Sequence, residues 1–227
     1  MIEYIIKSFP KYDHTTGRRI SDVPPKQIEC ARLRVDGELL QTAIEVDKKK
    51  NMRYYEKTTR YGKGFIDNDV LTSGLIGLIG EAAGALFFGV TTDWSYKKAG
   101  DGGYDFIVMG KRLDIKTAKD PSNHRNYIVR VEYKWRRKYE HLLKSIIYVG
   151  AYLENSQRIK EGYCNVVLVG YTSKRLLEKQ PILKTPKQDS SHENTEMYFY
   201  DLSPIGVLWR QHERYRERHS SSDPSEI

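Results

Sequence analysis

The sequence predicts an α/β fold, in which a central mixed β-sheet is flanked by helices. Two short runs, Ile146–Leu153 and Val166–Tyr171, are apolar at nearly every position, as expected of central strands that are covered on both faces. Helical patterns precede and follow these runs, at residues 70–88 and after Ser203. The 227 residues, of which 39% are hydrophobic, suffice for one substantial core with additions.

The first part of the chain, residues 1–69, is predicted to be a helical or irregular N-terminal extension, either part of the core or appended to it. Pro24-Pro25 predicts the start of a helical stretch, because proline suits the first helical turn. This stretch runs towards Tyr55, with Gly37 as its expected break. Basic residues crowd its second half, so we expect it to pack poorly.

Residues 70–218 are predicted to form the core, and the polar tail of residues 219–227 is predicted to be disordered. Apolar and alternating segments predict six strands: Tyr104–Met109, Arg112–Ala118, Tyr127–Tyr133, Ile146–Leu153, Val166–Tyr171 and Met197–Tyr200. Further helices are predicted at Lys134–Lys144, at Ser173–Lys179 and from Ser203-Pro204 onward. The polar residues 180–195 predict a loop.

The run from Val70 to Phe88 has 19 residues without Lys or Arg, and a bilayer is spanned by roughly 17–25 residues. Glu81 lies near its middle, however, and the run lacks aromatic belts and flanking basic clusters. We therefore interpret it as a core helix, with a membrane span as the weaker alternative. A carboxylate in an apolar helix needs a partner or a cation, so Glu81 is a candidate functional residue.

Two more carboxylates lie on the predicted hairpin. A turn at Gly110-Lys111 would place Asp105 opposite Lys116 and make Asp105 a diagonal neighbour of Asp114 on one face, about 7–8 Å away at the backbone. Two carboxylates at that separation can converge on one magnesium ion, which prefers oxygen ligands. Lys116 is next to Asp114 on the same face, where a cation can orient water and stabilise negative charge.

This arrangement resembles the PD-(D/E)xK nuclease superfamily. Glu81 in GEAAGAL matches the helical acid of that family, Asp105 in GGYDF matches its first aspartate, and Asp114-Ile115-Lys116 matches its (D/E)xK triplet. Tyr104 stands where the motif has proline, at a position that is loose in the family. The helix after the hairpin lacks the Gln-xxx-Tyr element of RecB-like exonucleases.

The resemblance implies a restriction-endonuclease-like fold over roughly residues 70–200 and the activity of a magnesium-dependent deoxyribonuclease. Mn²⁺ is expected to substitute for Mg²⁺. The missing Gln-xxx-Tyr element favours an endonuclease, and restriction, junction resolution and viral or phage DNA processing stay open. Members of the family often dimerise, so a homodimer stays open as well.

The resemblance also implies a role for each site residue. Asp105 and Asp114 would hold the metal together with the backbone carbonyl of Ile115. Lys116 would assist the attacking water, and Glu81 would contact water or a second metal. An inert sheet with a buried Glu81–Lys116 ion pair is the structural alternative, and a non-catalytic nucleic-acid-binding protein is the functional one.

Positive charge is concentrated near this predicted site. The segment from Lys111 to Lys138 contains ten Lys or Arg and three Asp or Glu, in a chain of net charge +8. Because phosphate contacts supply most of the affinity for nucleic acids, DNA is the expected partner. The candidate contacts are Lys119, Arg125, Lys134, Arg136, Arg137 and Lys138.

Other classes of site lack support in the sequence. The turn Gly100-Asp101-Gly102-Gly103 has no Lys-Ser or Lys-Thr after it, so no nucleotide cofactor is expected. The two cysteines, Cys30 and Cys164, have no Cys-x-x-Cys or His neighbourhood, which argues against structural zinc and for a reducing compartment. No secretion signal is recognised at the N-terminus. We therefore expect a cytoplasmic protein that is not bound to a membrane.

Overall fold

The computed structural model describes residues 2–14, 16, 18–59, 72–92, 94, 104–119, 128–133, 145–180, 182–184 and 193–220. The helices are α1 (Gly37–Thr59), α2 (Ser73–Phe88), α3 (Lys174–Leu177) and α4 (Ile205–Ser220). The first five strands are β1 (Ile2–Phe9), β2 (Lys26–Asp36), β3 (Phe106–Val108), β4 (Lys111–Ala118) and β5 (Ile128–Tyr133). The others are β6 (Ile147–Leu153), β7 (Tyr163–Ser173), β8 (Ile182–Lys184), β9 (Glu193–Tyr198) and β10 (Ser203–Pro204).

The structure confirms an α/β fold built on a mixed sheet. Seven strands form this sheet in the order β1-β2-β7-β6-β4-β3, with β10 paired to β7. The pairing of β4 with β6 is parallel and the other pairings are antiparallel. Every residue of β6 is buried, as predicted for a central strand. A separate three-stranded sheet has the order β5-β9-β8.

Both faces of the large sheet carry a hydrophobic core. One core joins buried residues of α1, α2 and α4 to strand residues such as Leu33, Ile115 and Val149. The other core lies on the opposite face, where Tyr148 and Tyr152 pack with residues that include Leu177 of α3. The sheet is therefore flanked by helices, and the strands of its centre are apolar on both sides because both sides are covered.

The prediction of a helical stretch from Pro24-Pro25 is wrong for its first part, because residues 26–36 form the strand β2. The hydrophobic pattern of β2 changes face midway. Ile28 and Cys30 face one core, whereas Leu33 and Val35 face the other. This change interrupts simple alternation and hides the strand. Gly37 marks the boundary as expected, and its φ of 54° begins α1.

The loop prediction for residues 180–195 is wrong at both ends. Residues 182–184 form β8, and β9 begins at Glu193, both in the small sheet. Strand β8 has only three residues, and β9 begins with the polar residues 193–196, so neither shows the apolar alternation on which the prediction of strands depends. The predicted helix at Lys134–Lys144 lies outside the described residues.

The hairpin between β3 and β4 turns one residue earlier than predicted. Phe106 pairs with Leu113 and Val108 pairs with Lys111, so the turn is Met109-Gly110 and not Gly110-Lys111. Both turn residues have positive φ, 54° and 67°, which is the type I′ turn that matches the twist of a hairpin. Glycine is well suited to the second position of that turn, because it adopts positive φ without strain. Gly110 takes this position, so the preceding residue, Met109, takes the first.

Helix α2 is fixed at both ends by specific hydrogen bonds. Thr72 caps its start by accepting a 3.0 Å hydrogen bond from the N–H of Leu75. The Thr72 hydroxyl in turn donates to Asp47 of α1 at 2.8 Å. At the other end Gly89 adopts a left-handed conformation with φ 63°, and its N–H bonds the carbonyl of Ala85. The start and direction of α2 are therefore coupled to α1.

Two glycines let α2 lie directly on β4. A Cβ on Gly80 would overlap the Oγ1 of Thr117, and a Cβ on Gly84 would overlap the Cδ1 of Ile115. Among the described residues, no atom lies within 4 Å of where a Cβ on Gly77 would be. Gly80 and Gly84 are thus required by the packing of α2 on β4, whereas Gly77 is not.

Replacing Gly80 with Ala is expected to destabilise the protein by about 1–3 kcal/mol, because the added methyl must push α2 away from Thr117. Gly77→Ala is the matched control in the same helix, and it is expected to be neutral or to stabilise by up to about 1 kcal/mol through helix propensity. Urea unfolding of the metal-free proteins measures both. Equal stabilities for the two variants would contradict this packing.

A four-residue charge network ties β1 to the end of β6. Glu154 accepts hydrogen bonds from Arg32 at 2.8 Å and from Lys7 at 2.9 Å, and Arg32 also donates to Glu3 at 2.9 Å. Burial by itself would raise the pKa of Glu154, but the hydrogen bonds from Arg32 and Lys7 outweigh it and hold the pKa below its usual value. The ionised form of Glu154 is therefore favoured in the folded protein.

Glu154→Gln is expected to lower the free energy of unfolding by about 1 kcal/mol at pH 7. Because the folded pKa is depressed, this contribution is present above the pKa of the unfolded chain and is lost as pH falls through the folded pKa. The difference between wild type and variant should then vanish below about pH 4. Urea unfolding across pH 3–7 tests this, with the exposed Glu161→Gln as a control that leaves stability unchanged.

In the described parts of the chain, none of the helices has the length and apolar character needed to cross a bilayer. The apolar run that raised this alternative forms α2, which has 16 residues and is largely buried within the protein. Most of its hydrophobic side chains belong to the core on one face of the sheet, and Leu86 is exposed.

Candidate active site

One cavity is lined by the four residues that the sequence predicted to be catalytic. Its volume is about 290 Å³. Its lining residues come from α2, from the segment before β3 and from β4: Ser73, Gly77, Glu81, Tyr104, Asp105, Asp114, Ile115, Lys116 and Thr117. The four predicted catalytic residues therefore lie around one space, although Glu81 is 24 or more positions away from the others in sequence.

Asp105 is held in place by two backbone hydrogen bonds to β4. Its N–H donates to the carbonyl of Leu113 at 2.9 Å, and its Oδ2 accepts from the N–H of Ile115 at 2.6 Å. The β3–β4 pairing ends where Phe106 lies opposite Leu113, so Asp105 lies just before β3, beside residues 113–115 of β4, and not opposite Lys116. The predicted placement of Asp105 opposite Lys116 is therefore wrong, although Asp105 and Asp114 both line the cavity.

Asp114 and Lys116 form a close ion pair on β4. The ammonium group lies 2.8 Å from Oδ1 and 2.7 Å from Oδ2 of the carboxylate. Asp114 is buried, whereas the Lys116 side chain is 35% exposed. The two residues are two positions apart and therefore share a face of the strand, as the sequence predicted.

Glu81 is held by Trp94, a contact that sequence reasoning missed. The indole Nε1–H donates to Glu81 Oε2 at 3.1 Å. Trp94 follows Glu81 by 13 positions, beyond the end of α2, and no periodicity relates a helix residue to one in the following segment. The sequence offered only one weak reason to consider Trp94, which is that tryptophan is rare in the chain and occurs three times.

The crowding of carboxylates shifts the proton equilibrium of the site. Burial is the largest cause that raises the pKa of Asp105, and the charges of Asp114 and Glu81 raise it further, to about 9. The hydrogen bond from Ile115 and the charge of Lys116 act in the opposite direction but do not compensate. Ionising Asp105 at neutral pH therefore requires additional positive charge.

The donor set fits a hard divalent cation. Among the described residues, no three His, Cys, Asp or Glu side chains are grouped closely enough to form a metal cluster. Magnesium does not need such a cluster, because it is usually held by one or two carboxylates and keeps several waters. Asp105, Asp114 and Ile115 line the cavity, and their carboxylate and carbonyl groups are oxygen donors of the type that magnesium prefers.

The predicted nucleic-acid contacts are mostly outside the described residues. Lys119 is described and exposed, directly after β4. The other five, Arg125, Lys134, Arg136, Arg137 and Lys138, fall in segments that the structure does not describe. A further cation that the sequence did not single out lies close to the cavity, because the guanidinium of Arg112 is 5.8 Å from the ring centroid of Tyr104.

Comparison with known proteins gives no relative. No family model matches the chain, no curated protein matches it, and no solved structure matches it. The interpretation of the site therefore rests on the geometry and chemistry of its own residues.

Proposed function

We propose that the protein is a magnesium-dependent deoxyribonuclease with a restriction-endonuclease-like fold. The observation that carries this proposal is the cavity in which Glu81, Asp105, Asp114 and Lys116 lie together. Three acids and one lysine are the groups that metal-assisted hydrolysis of a phosphodiester requires. Mn²⁺ is expected to substitute for Mg²⁺.

The fold supports this proposal through the placement of its elements. Helix α2 precedes the β3–β4 hairpin, packs on β4 through Gly80 and Gly84, and brings Glu81 to the hairpin acids. Strand β4 makes the parallel pairing of the described sheet together with β6, and β4 carries both Asp114 and Lys116. This is the helix–hairpin–strand order that the sequence motif implies.

Each residue has a distinct task in the proposed reaction. Bound magnesium would supply a Lewis acid and lower the pKa of a water. Asp105 and Asp114 would hold the ion, with the carbonyl of Ile115 as a third oxygen donor. Lys116 would orient the attacking water and stabilise the negative charge that develops on the phosphate, and Glu81 would bind water at the edge of the site.

DNA is the proposed substrate because a basic segment, which begins in sequence with β4, suits a polyanion. The residues from Lys111 to Lys138 carry most of the net positive charge of the chain, and phosphate contacts of this kind bind DNA without regard to sequence. We favour an endonuclease, since the sequence lacks the Gln-xxx-Tyr element of RecB-like exonucleases.

Purified protein incubated with supercoiled, linear, branched and single-stranded DNA tests this proposal, in Mg²⁺, in Mn²⁺ and in EDTA. Nicking or linearisation of the supercoiled DNA that requires the metal is the expected result. Asp114→Ala should remove the cleavage while leaving DNA binding intact. Binding without cleavage of any of the four substrates would instead support a non-catalytic nucleic-acid-binding protein.

A further inference from the structure

The contact between Trp94 and Glu81 has features of a positioning interaction. The indole Nε1–H donates to Oε2 of Glu81 at 3.1 Å, and the body of the indole packs against the core on the α2 face of the sheet. Trp94 is thus anchored by hydrophobic contacts, and its polar edge is directed at one oxygen of a cavity-lining carboxylate.

The chemistry of indole suits this task better than a charged partner would. An indole N–H is only a donor and carries no charge. It can therefore fix the direction of a carboxylate without neutralising it, whereas Lys or Arg would compete with a metal ion for the same negative charge.

We propose that Trp94 is a positioning residue that orients Glu81 for metal binding. The inference rests on the proposed function, because it assumes a divalent cation in the cavity. Hydrogen bonds to the groups that bind a metal or its waters reduce the freedom of those groups before the metal arrives. Their loss typically weakens metal affinity or activity by about 10–100-fold.

The variant Trp94→Phe keeps an aromatic ring in the core but loses the N–H donor. Mn²⁺ binding, measured by electron paramagnetic resonance on the DNA-free protein, is expected to weaken by about 10-fold in this variant. Trp209→Phe is the matched control. Trp209 packs against the same core, next to Phe87, so its replacement should lower stability without changing Mn²⁺ affinity.

A double-mutant cycle shows whether Trp94 acts through Glu81. If it does, Glu81→Gln and the double variant with Trp94→Phe should bind Mn²⁺ equally well, because the carboxylate that Trp94 orients is already absent. Trp94→His, which retains a ring N–H, should recover part of the lost affinity. An additional loss in the double variant would show that Trp94 contributes by another route and would overturn the inference.

The outcomes separate this inference from the proposed function. Wild-type protein that binds no Mn²⁺ would overturn the metal site itself. Wild-type binding with unchanged affinity in Trp94→Phe would overturn only the role of Trp94. Should Trp94→Phe not fold, ¹⁵N NMR of the wild-type indoles decides, with signals assigned through Trp135→Phe and Trp209→Phe. The Trp94 signal should shift on addition of Mg²⁺ more than the Trp209 signal, and equal shifts would contradict the inference.

Discussion

Replacing Asp105 with Asn is expected to abolish cleavage and, at the same time, to stabilise the metal-free protein. Activity should fall by about 10³-fold or more, because the metal contributes several kcal/mol to the transition state and Asn cannot supply an anionic ligand. Removing one of three crowded acids should raise the free energy of unfolding by about 1–2 kcal/mol at pH 8. This corresponds to an increase in Tm of about 2–8 °C.

The pH dependence of this stabilisation has a defined sign. Burial, with the charges of Asp114 and Glu81, raises the pKa of Asp105 from its usual 3.8 to about 9. A raised folded pKa contributes stability that is fully present below the unfolded pKa and is lost as pH rises through the folded value. The stability advantage of Asp105→Asn over wild type should therefore be absent near pH 4 and grow towards pH 9.

Thermal unfolding in EDTA and in Mg²⁺ measures these effects. Mg²⁺ should raise the Tm of the wild type, since it binds only the folded chain, and should leave Asp105→Asn unchanged. Asp36→Asn is the control, because Asp36 is exposed and forms an ion pair with the equally exposed Arg34. A variant at Asp105 that is less stable than wild type at pH 8 without metal would contradict the crowding of acids.

Lys116→Met is expected to reduce cleavage by about 10²–10³-fold while leaving metal affinity unchanged or higher. The loss reflects a missing cation at the developing charge. Metal affinity should not fall, because Lys116 binds both oxygens of Asp114, which is a proposed metal ligand. Rates measured at saturating Mg²⁺, together with direct Mn²⁺ binding, separate the two effects.

Lys116→Met should also affect stability, with a sign opposite to that of Asp105→Asn. Removing the lysine leaves the buried carboxylate of Asp114 without this partner, at a cost of about 1–3 kcal/mol in the metal-free protein. Mg²⁺ should restore much of that loss. Lys174→Met, which removes a surface pair with Glu178 at 3.7 Å, is the control for the general effect of losing a lysine. If the metal-free Lys116→Met protein were as stable as this control, the ion pair between Lys116 and Asp114 would not stabilise the protein as expected.

The sequence predicted those parts of the fold whose patterns are local. Strands β6 and β7 are apolar on both faces and helices α2 and α4 have helical patterns, so each was recognisable from its own residues. Strand β2 was missed because its apolar positions change midway from the face of one core to the face of the other. The hairpin turn was misplaced by one residue, because Met109 adopts a left-handed conformation that its side chain gives no reason to expect.

The candidate site was predictable to the level of its carboxylates and lysine. The motif depends on which residue types occur and in what order, and both can be read from the sequence. In the structure, the three acids and the lysine of the motif line one cavity. The partners of the site were not predictable, because Trp94 reaches Glu81 across a change of direction after α2. The packing of Gly80 on Thr117 likewise depends on the placement of two whole elements.

Crystals soaked in Mn²⁺ and measured at the manganese absorption edge test the central claim most directly. An anomalous peak is predicted between the carboxylates of Asp105 and Asp114, near the carbonyl of Ile115, at the distance of about 2.1 Å expected for such oxygen ligands. The peak should be absent in crystals of Asp114→Asn. A wild-type crystal at saturating Mn²⁺ with no peak in this cavity would contradict the account.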